Sequence, residues 1–278
     1  MVQKNIIFNS LKESLALIWK NKFLFVSLFV LQILFFIIFS VINYDYQTKI
    51  LENAKAITDY LSNQKLDEAA VTSNLLQQKN ILGDDPLMIS RNFNEILKNF
   101  RIYLIYIFIL LILFISISWT LSSKIINKLN FKQLINNFLK NLIILLFYLG
   151  LIFGFFFSLL NISITQLAQQ SSMIFIKYFI FLIISIILVY FMFISISLIN
   201  HIELKNIVQK TLSIGIRRAH YILSVYFINT LLLGTSVFLL YYFIEKNSLI
   251  LLLSIILLIF SIVFGRIFLI NAVGKLTH

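Results

Sequence analysis

Six long apolar runs constrain this chain more than anything else in it: about 23–43 (FLFVSLFVLQILFFIIFSVIN), 102–122, 142–160, 174–199, 222–244 and 249–270. Each is close to the ~20 residues a helix needs to cross a hydrocarbon core of ~30 Å. Composition agrees, since 60% of residues are apolar, 29 of 278 are phenylalanine and 12% are charged, against about 25% charged in soluble domains. The reading is an all-α integral membrane protein, one membrane domain over 1–278 with six transmembrane helices. The first run is longer than a signal-peptide core and ends in NYDYQ without a small-residue cleavage site, so it is expected to stay as an anchor.

Cations set the expected orientation. Lys4, Lys12, Lys20 and Lys22 precede span 1, Lys124, Lys128, Lys132 and Lys140 lie around the connection from span 2 to span 3, and Lys205, Lys210, Arg217 and Arg218 lie between spans 4 and 5. The alternate connections, 161–173 and 245–248, carry almost no net charge. The positive-inside rule then puts both termini in the cytoplasm of a multi-pass cell-membrane protein. It also puts 44–101, with seven basic and eight acidic residues, outside. There the stripes Ile50, Ala54, Ile57, Leu61 and Phe93, Ile96, Leu97, Phe100 predict an extracytoplasmic helical hairpin turned at ILGDDP, which holds the only proline.

The stretch KLNFKQLINNFLK, 128–140, has Phe131, Leu134, Ile135, Phe138 and Leu139 on one side and Lys132, Gln133, Asn136, Asn137 and Lys140 on the other. That spacing predicts a helix lying in the membrane interface. Ile7, Leu11, Leu15, Ile18 and Trp19 before span 1, and Leu204, Ile207, Val208 and Leu212 before span 5, repeat the pattern. The chain therefore reads as three copies of one unit, an amphipathic interfacial helix followed by a transmembrane hairpin. Leu11, Leu134 and Ile207 are separated by 123 and 73 residues, and the 50-residue excess matches the enlarged outer loop of the first unit.

A basic amphipathic segment closing in a Trp-Lys-Asn-Lys turn, Trp19 to Lys22, and repeated ahead of spans 3 and 5 resembles the uncharacterised six-span membrane domains of prokaryotes, such as the one fused to some glycerophosphodiester phosphodiesterases. The resemblance covers the chain except 44–101 and is one of layout. It implies a prokaryotic membrane domain without the phosphodiesterase part and carries over no catalytic residue.

Chemistry-bearing residues are sparse. His201 and His220 lie 19 apart and His278 is terminal; no HExxH, paired-cysteine or EF-hand spacing occurs, and there is no cysteine. No catalytic, metal or cofactor site is expected. GDD at 83–85 reads as a turn, and Asn161-Ile-Ser163 is a formal glycosylation sequon next to the membrane. Within the spans, Gln32, Asn229, Thr230, Thr235 and Ser236 can hydrogen-bond between helices, and Gly150 with Gly154 forms a GxxxG suited to close helix approach. Lys177 can snorkel to the outer surface. Arg266 is the best candidate for a buried functional charge, and Tyr226, Asn229 and Thr235 could line a polar cavity.

A net charge of +12 collects at span ends as a topology signal, so nucleic acid is not an expected partner. The expected role is non-enzymatic membrane organisation or support of a complex. The bilayer is then the partner, with Lys12, Lys20, Lys22, Lys128, Lys132, Lys140, Lys205, Lys210, Arg217 and Arg218 facing anionic headgroups. A protein partner or a homo-oligomer is compatible with it. The rival is a small permease or channel with Asn229 and Arg266 on its pathway. An intramembrane enzyme stands third, since no acidic residue lies inside a span.

Overall fold

The computed structural model describes residues 6–63, 87–159 and 171–277, with side chains from 176 onward in the last stretch. Regular structure among these residues is helical: α1 (Ile6–Lys20), α2 (Lys22–Asn63), α3 (Leu87–Asn127), α4 (Phe131–Leu159), α5 (Ser171–Leu198), α6 (Leu204–Arg217), α7 (Ala219–Phe243) and α8 (Ser248–Lys275). Six of them, α2, α3, α4, α5, α7 and α8, are long and apolar enough to cross a membrane. The ILGDDP turn, the GDD triplet and the Asn161 sequon lie outside the described residues.

The chain divides into two compact units. Ile37–Leu110 holds the distal arm of α2 and the proximal arm of α3. The expected outer helices are not separate elements, because each arm continues its spanning helix without a break. Aromatic side chains tie the arms: Tyr46 lies 5.9 Å from Tyr103 and 5.8 Å from Tyr106, and the Tyr103 hydroxyl donates to Asn43 Oδ1 at 3.3 Å. Tyrosines bunched where an apolar run gives way to polar chain are what a membrane–water boundary selects.

The second unit, Met1–Phe36 with Leu111–His278, contains everything else. Its centre is the second half of α8, where every residue from Val263 to Gly274 is buried. Around it α7, α5 and α1 pack directly, and α6 joins α5 to α7. Polar ties cross these contacts. The Tyr148 hydroxyl lies 3.1 Å from Ser195 Oγ, which lies 3.0 Å from Thr211 Oγ1, linking α4, α5 and α6. Tyr190 donates to Gly215 O at 2.8 Å, and Tyr226 to Tyr190 O at 3.1 Å, adding α7.

The joints follow from local chemistry. Lys128 takes φ 46 just after α3 ends, the left-handed position that closes many helices. Asn130 and Gln133 then form a reciprocal cap, Asn130 Oδ1 accepting from Gln133 N at 2.9 Å and Gln133 Oε1 from Asn130 N at 3.0 Å. So 128–140 is not a free interfacial helix: after this cap it runs unbroken into the span as the first turns of α4. By contrast α1 and α6 are separate helices, broken from the next by Asn21 and Arg218. At the Trp-Lys-Asn-Lys turn Lys22 Nζ lies 4.9 Å over the Trp19 ring, and Asn21 Nδ2 donates to Ile125 O of α3 at 3.3 Å.

The apolar faces of these stretches are largely left open, as a face turned to lipid requires, but part of the polar side expected to meet water is buried in the protein. In α4 the buried residues are Asn137, Asn141, Ile144, Leu145, Tyr148 and Leu149, whereas Phe131, Ile135 and Leu139 are exposed. Asn137 donates to Asn200 Oδ1 and Asn141 to Thr120 Oγ1 at 2.9 Å. In α1 Ser10, Ser14 and Ile18 are buried while Phe8, Leu15 and Trp19, the last 71% exposed, are not covered. Lipid is as apolar as leucine, so helices meet through small and hydrogen-bonding residues and leave large apolar ones outside.

The Gly150–Gly154 pair meets nothing within 4 Å, so that GxxxG makes no close contact among the described residues. The close approaches are elsewhere. A Cβ at Gly215 would lie 2.7 Å from the Phe191 ring, one at Gly274 2.9 Å from His201, and one at Gly265 3.2 Å from Asn229.

Candidate functional site

A cavity of about 410 Å³ lies in the larger unit among α2, α3, α5, α7 and α8. Gln32 and Phe35 come from α2, Phe114, Ser118 and Trp119 from α3, Phe193 from α5, Tyr226, Asn229, Thr230 and Leu233 from α7, and Ser261, Gly265, Arg266 and Leu269 from α8. Helix period explains the α7 set, since 226, 229, 230 and 233 share one face. It also explains a correction: Thr235 is nine residues from Tyr226, about 180° round the helix, and is exposed, its hydroxyl returned to Leu232 O. Thr230 lines the cavity instead.

Depth follows from counting at about 1.5 Å per residue. Gln32 is about 15 Å from the start of α2 at Lys22, Asn229 about 15 Å from the start of α7 at Ala219, and Arg266 about 14 Å from the end of α8 at Lys275. Against the apolar runs themselves, Gln32 is near the middle of 23–43, Asn229 is seven residues into 222–244, and Arg266 is four residues, about 6 Å, from the end of 249–270, toward the expected cytoplasmic side.

Arg266 is 9% exposed. Its Nη2 donates to Gln32 Oε1 at 2.8 Å, and its guanidinium carbon stands 5.9 Å over the Phe114 ring. Nη1 has no hydrogen-bond partner, and no carboxylate is among the cavity-lining residues. Asn229 Nδ2 donates to Gly265 O at 3.1 Å, which fixes the amide and leaves Oδ1 without a donor. Gly265 keeps this contact relaxed, because a Cβ there would stand 3.2 Å from that amide. Ser118 Oγ is likewise unpartnered. The walls are mostly apolar, with Trp119 stacked on Phe193 at 5.7 Å and Phe35 on Phe114 at 4.2 Å. Even at mid-span an arginine costs about 2.5–3.5 kcal/mol on insertion scales, and a hydrogen bond to a charged group with a cation–π contact returns about 2–4 kcal/mol. The arrangement is tolerable, and it leaves the guanidinium without a counter-charge among the cavity-lining residues.

The cavity thus unites Gln32, Tyr226, Asn229, Thr230 and Arg266, which the sequence had singled out, and adds Ser118, Trp119 and Gly265. Gln32 was visible as a lone amide in an apolar run; the three additions carried no signal above packing.

The ten headgroup candidates stay outside the cavity. Lys12, Lys20, Lys22, Lys128, Lys132, Lys205, Lys210 and Arg217 are exposed, and Lys140 and Arg218 are half-buried. The helix ends that carry them are joined by hydrogen bonds: Asn21 to Ile125 O, Asn137 to Asn200, and Arg218 to Leu276 O. Arg218 is therefore engaged in capping the last carbonyls of α8, and Lys205 Nζ pairs with Glu203 at 3.0 Å. His201 abuts Gly274 and the His220 ring lies 4.0 Å from Tyr221; His278 is outside the described residues. Among the described residues no three His, Asp or Glu side chains gather to hold a metal.

Compared with known proteins, the chain matches no protein-family model, no curated protein and no solved structure, so its chemistry is read from this geometry alone.

Proposed function

We propose that this multi-pass membrane protein binds an anionic solute at the Arg266 cavity and passes it through the bilayer, as a small permease does. One observation carries the reading: a guanidinium buried within a helix long and apolar enough to span keeps one nitrogen unpartnered in a cavity that no carboxylate lines. Intramembrane charges held without a partner charge are costly and mark substrate paths. The role is binding and transfer rather than catalysis, because the lining offers one cation, two amides and hydroxyls, with no carboxylate, imidazole or thiol. The test is uptake of labelled small anions into proteoliposomes, with and without Arg266→Ala. Flux that vanishes in the variant supports the permease; equal flux in both, or none in either, rejects it.

A second reading has its own observation. Eight of the ten candidate cations are exposed, on helix ends that hydrogen bonds knit together. Facing anionic headgroups at about 1 kcal/mol each near the surface, they support an organising contact with the lipid. Replacing Lys12, Lys20, Lys132, Lys205, Lys210 and Arg217 by glutamine should lower the anionic lipid retained after gentle extraction; unchanged retention rejects this contact.

A further inference from the structure

The chemistry of the cavity also narrows the solute, given that the permease reading holds. Buried serine hydroxyls in this protein commonly return to their own helix, as Ser14 does to Ser10 O and Ser122 to Ser118 O. Among the described residues four buried serine hydroxyls, of Ser10, Ser116, Ser118 and Ser185, make no bond; of these only Ser118 lines the cavity, where with Arg266 Nη1 and Asn229 Oδ1 it makes three unpartnered polar atoms on residues of one cavity. Their characters differ: one is a cationic donor, one a neutral acceptor whose orientation Gly265 O enforces, and one a hydroxyl that can do either.

The remaining wall is largely apolar, with Phe35, Phe114, Trp119, Phe193 and Leu233 among its side chains. A chloride or inorganic phosphate would answer the guanidinium and leave both the apolar wall and Asn229 Oδ1 unmatched. An apolar alcohol would do the reverse. A cavity of about 410 Å³ is in the range that takes organic ligands rather than bare ions.

We propose that the ligand is an amphiphilic organic acid: a single carboxylate against Arg266, a hydroxyl or amide N–H beside it that donates to Asn229 Oδ1, and an apolar body along the aromatic wall. None of the three polar atoms is exposed, so binding requires the side chains around them, Phe114 at 5.9 Å from the guanidinium among them, to give way. Such acids reach a cavity within the bilayer either from the lipid, as long-chain hydroxy acids, or from water, as short ones.

Trp119 provides the readout. The chain has two tryptophans, Trp19 and Trp119, so Trp19→Phe leaves one reporter in the cavity wall. In nanodiscs of zwitterionic lipid, its fluorescence is titrated with 2-hydroxy- and 3-hydroxydecanoate, plain decanoate, 1-decanol and acetate. A hydroxydecanoate is expected to bind about tenfold tighter than decanoate, as one buried hydrogen bond allows, with acetate and decanol weaker still. Asn229→Leu should erase the hydroxyl preference and keep decanoate binding, while Arg266→Met removes both. The same titration with 3-hydroxyhexadecanoate carried in the nanodisc lipid, and with water-soluble 3-hydroxyoctanoate, ranks the two sources, and Arg266-dependent binding of either supports the proposal.

Acetate binding as well as hydroxydecanoate in an Arg266-dependent way would overturn the amphiphile and leave the permease standing. A hydroxyl preference that survives Asn229→Leu would overturn the assigned contact. No Arg266-dependent response to any probe would remove both proposals, with cavity water the sufficient partner of these atoms.

Discussion

Two polar clusters sit on α8 barely more than a turn apart, and they are built to opposite rules. Asn271 donates to Ser10 O at 3.1 Å and to Ser14 Oγ at 3.3 Å, with Glu13 at 3.5 Å, and Lys275 closes on the same Glu13 at 2.6 Å. Arg266 has a single hydrogen bond, to Gln32, and beside it Asn229 keeps an idle acceptor. No cavity-lining residue belongs to the Asn271 cluster, whereas both Arg266 and Asn229 line the cavity. The Asn271 cluster holds α1 onto α8 through bonded groups, with only Ser10 Oγ among its buried side-chain atoms lacking a partner; the cluster in the cavity has more bonding capacity left for a ligand. In a low-dielectric interior that difference is costly enough to mean something.

The comparison breaks most sharply at Arg266. Replacing both partners of its hydrogen bond, Arg266→Met with Gln32→Leu, should cut anion binding by about a hundredfold while thermal unfolding in detergent stays level or rises, because removing both ends of a buried polar pair is close to neutral. If the fold fails instead, Arg266 is as structural as Asn271. Asn271→Leu should do the converse, costing about 1–3 kcal/mol by removing the donor that bridges Ser10 O and Ser14 Oγ to α8 and leaving ligand affinity within about twofold. Both sides of the pair are read by the same two assays, unfolding and Trp119 titration.

Gly265→Ala sharpens the picture at smaller amplitude. Its Cβ would sit 3.2 Å from Asn229 Oδ1, so the amide must move a few tenths of an ångström, costing about 1 kcal/mol in stability and weakening ligand binding severalfold. Glu13→Gln is the mildest, at most about 1 kcal/mol, because that carboxylate is half-exposed and screened. A larger loss would mean that the Glu13–Lys275 pair, and not Asn271, fastens α1.

Much of the architecture was legible beforehand. The six crossings followed from run length and apolarity, and the breaks at Asn21 and Arg218 fall where the amphipathic segments before spans 1 and 5 were expected to end. The stretch 128–140 was misread as a separate element because amphipathicity says that a helix forms and not where it stops; the Asn130–Gln133 cap marks a start, and no residue after it interrupts the turn sequence before Leu159. Thr235 was a lapse in helical arithmetic that the chain itself corrects. The interior position of Asn137, Asn141, Ser10 and Ser14 was hidden for a deeper reason, since the groups they meet, on Asn200, Thr120 and Asn271, are distant in the chain.

Sequence alone determined that this chain makes spanning helices, and that Gln32, Asn229 and Arg266 are polar exceptions within them, because helix formation in hydrocarbon depends on local length and side-chain solubility. Only the tertiary structure decided that residues 32 and 266, 234 positions apart, share one hydrogen bond, and that Asn229 lines the same cavity. On helices apolar all round, hydrophobicity does not choose a face. The choice falls to the few hydrogen-bonding and small residues, and their partners are known only once the helices have packed.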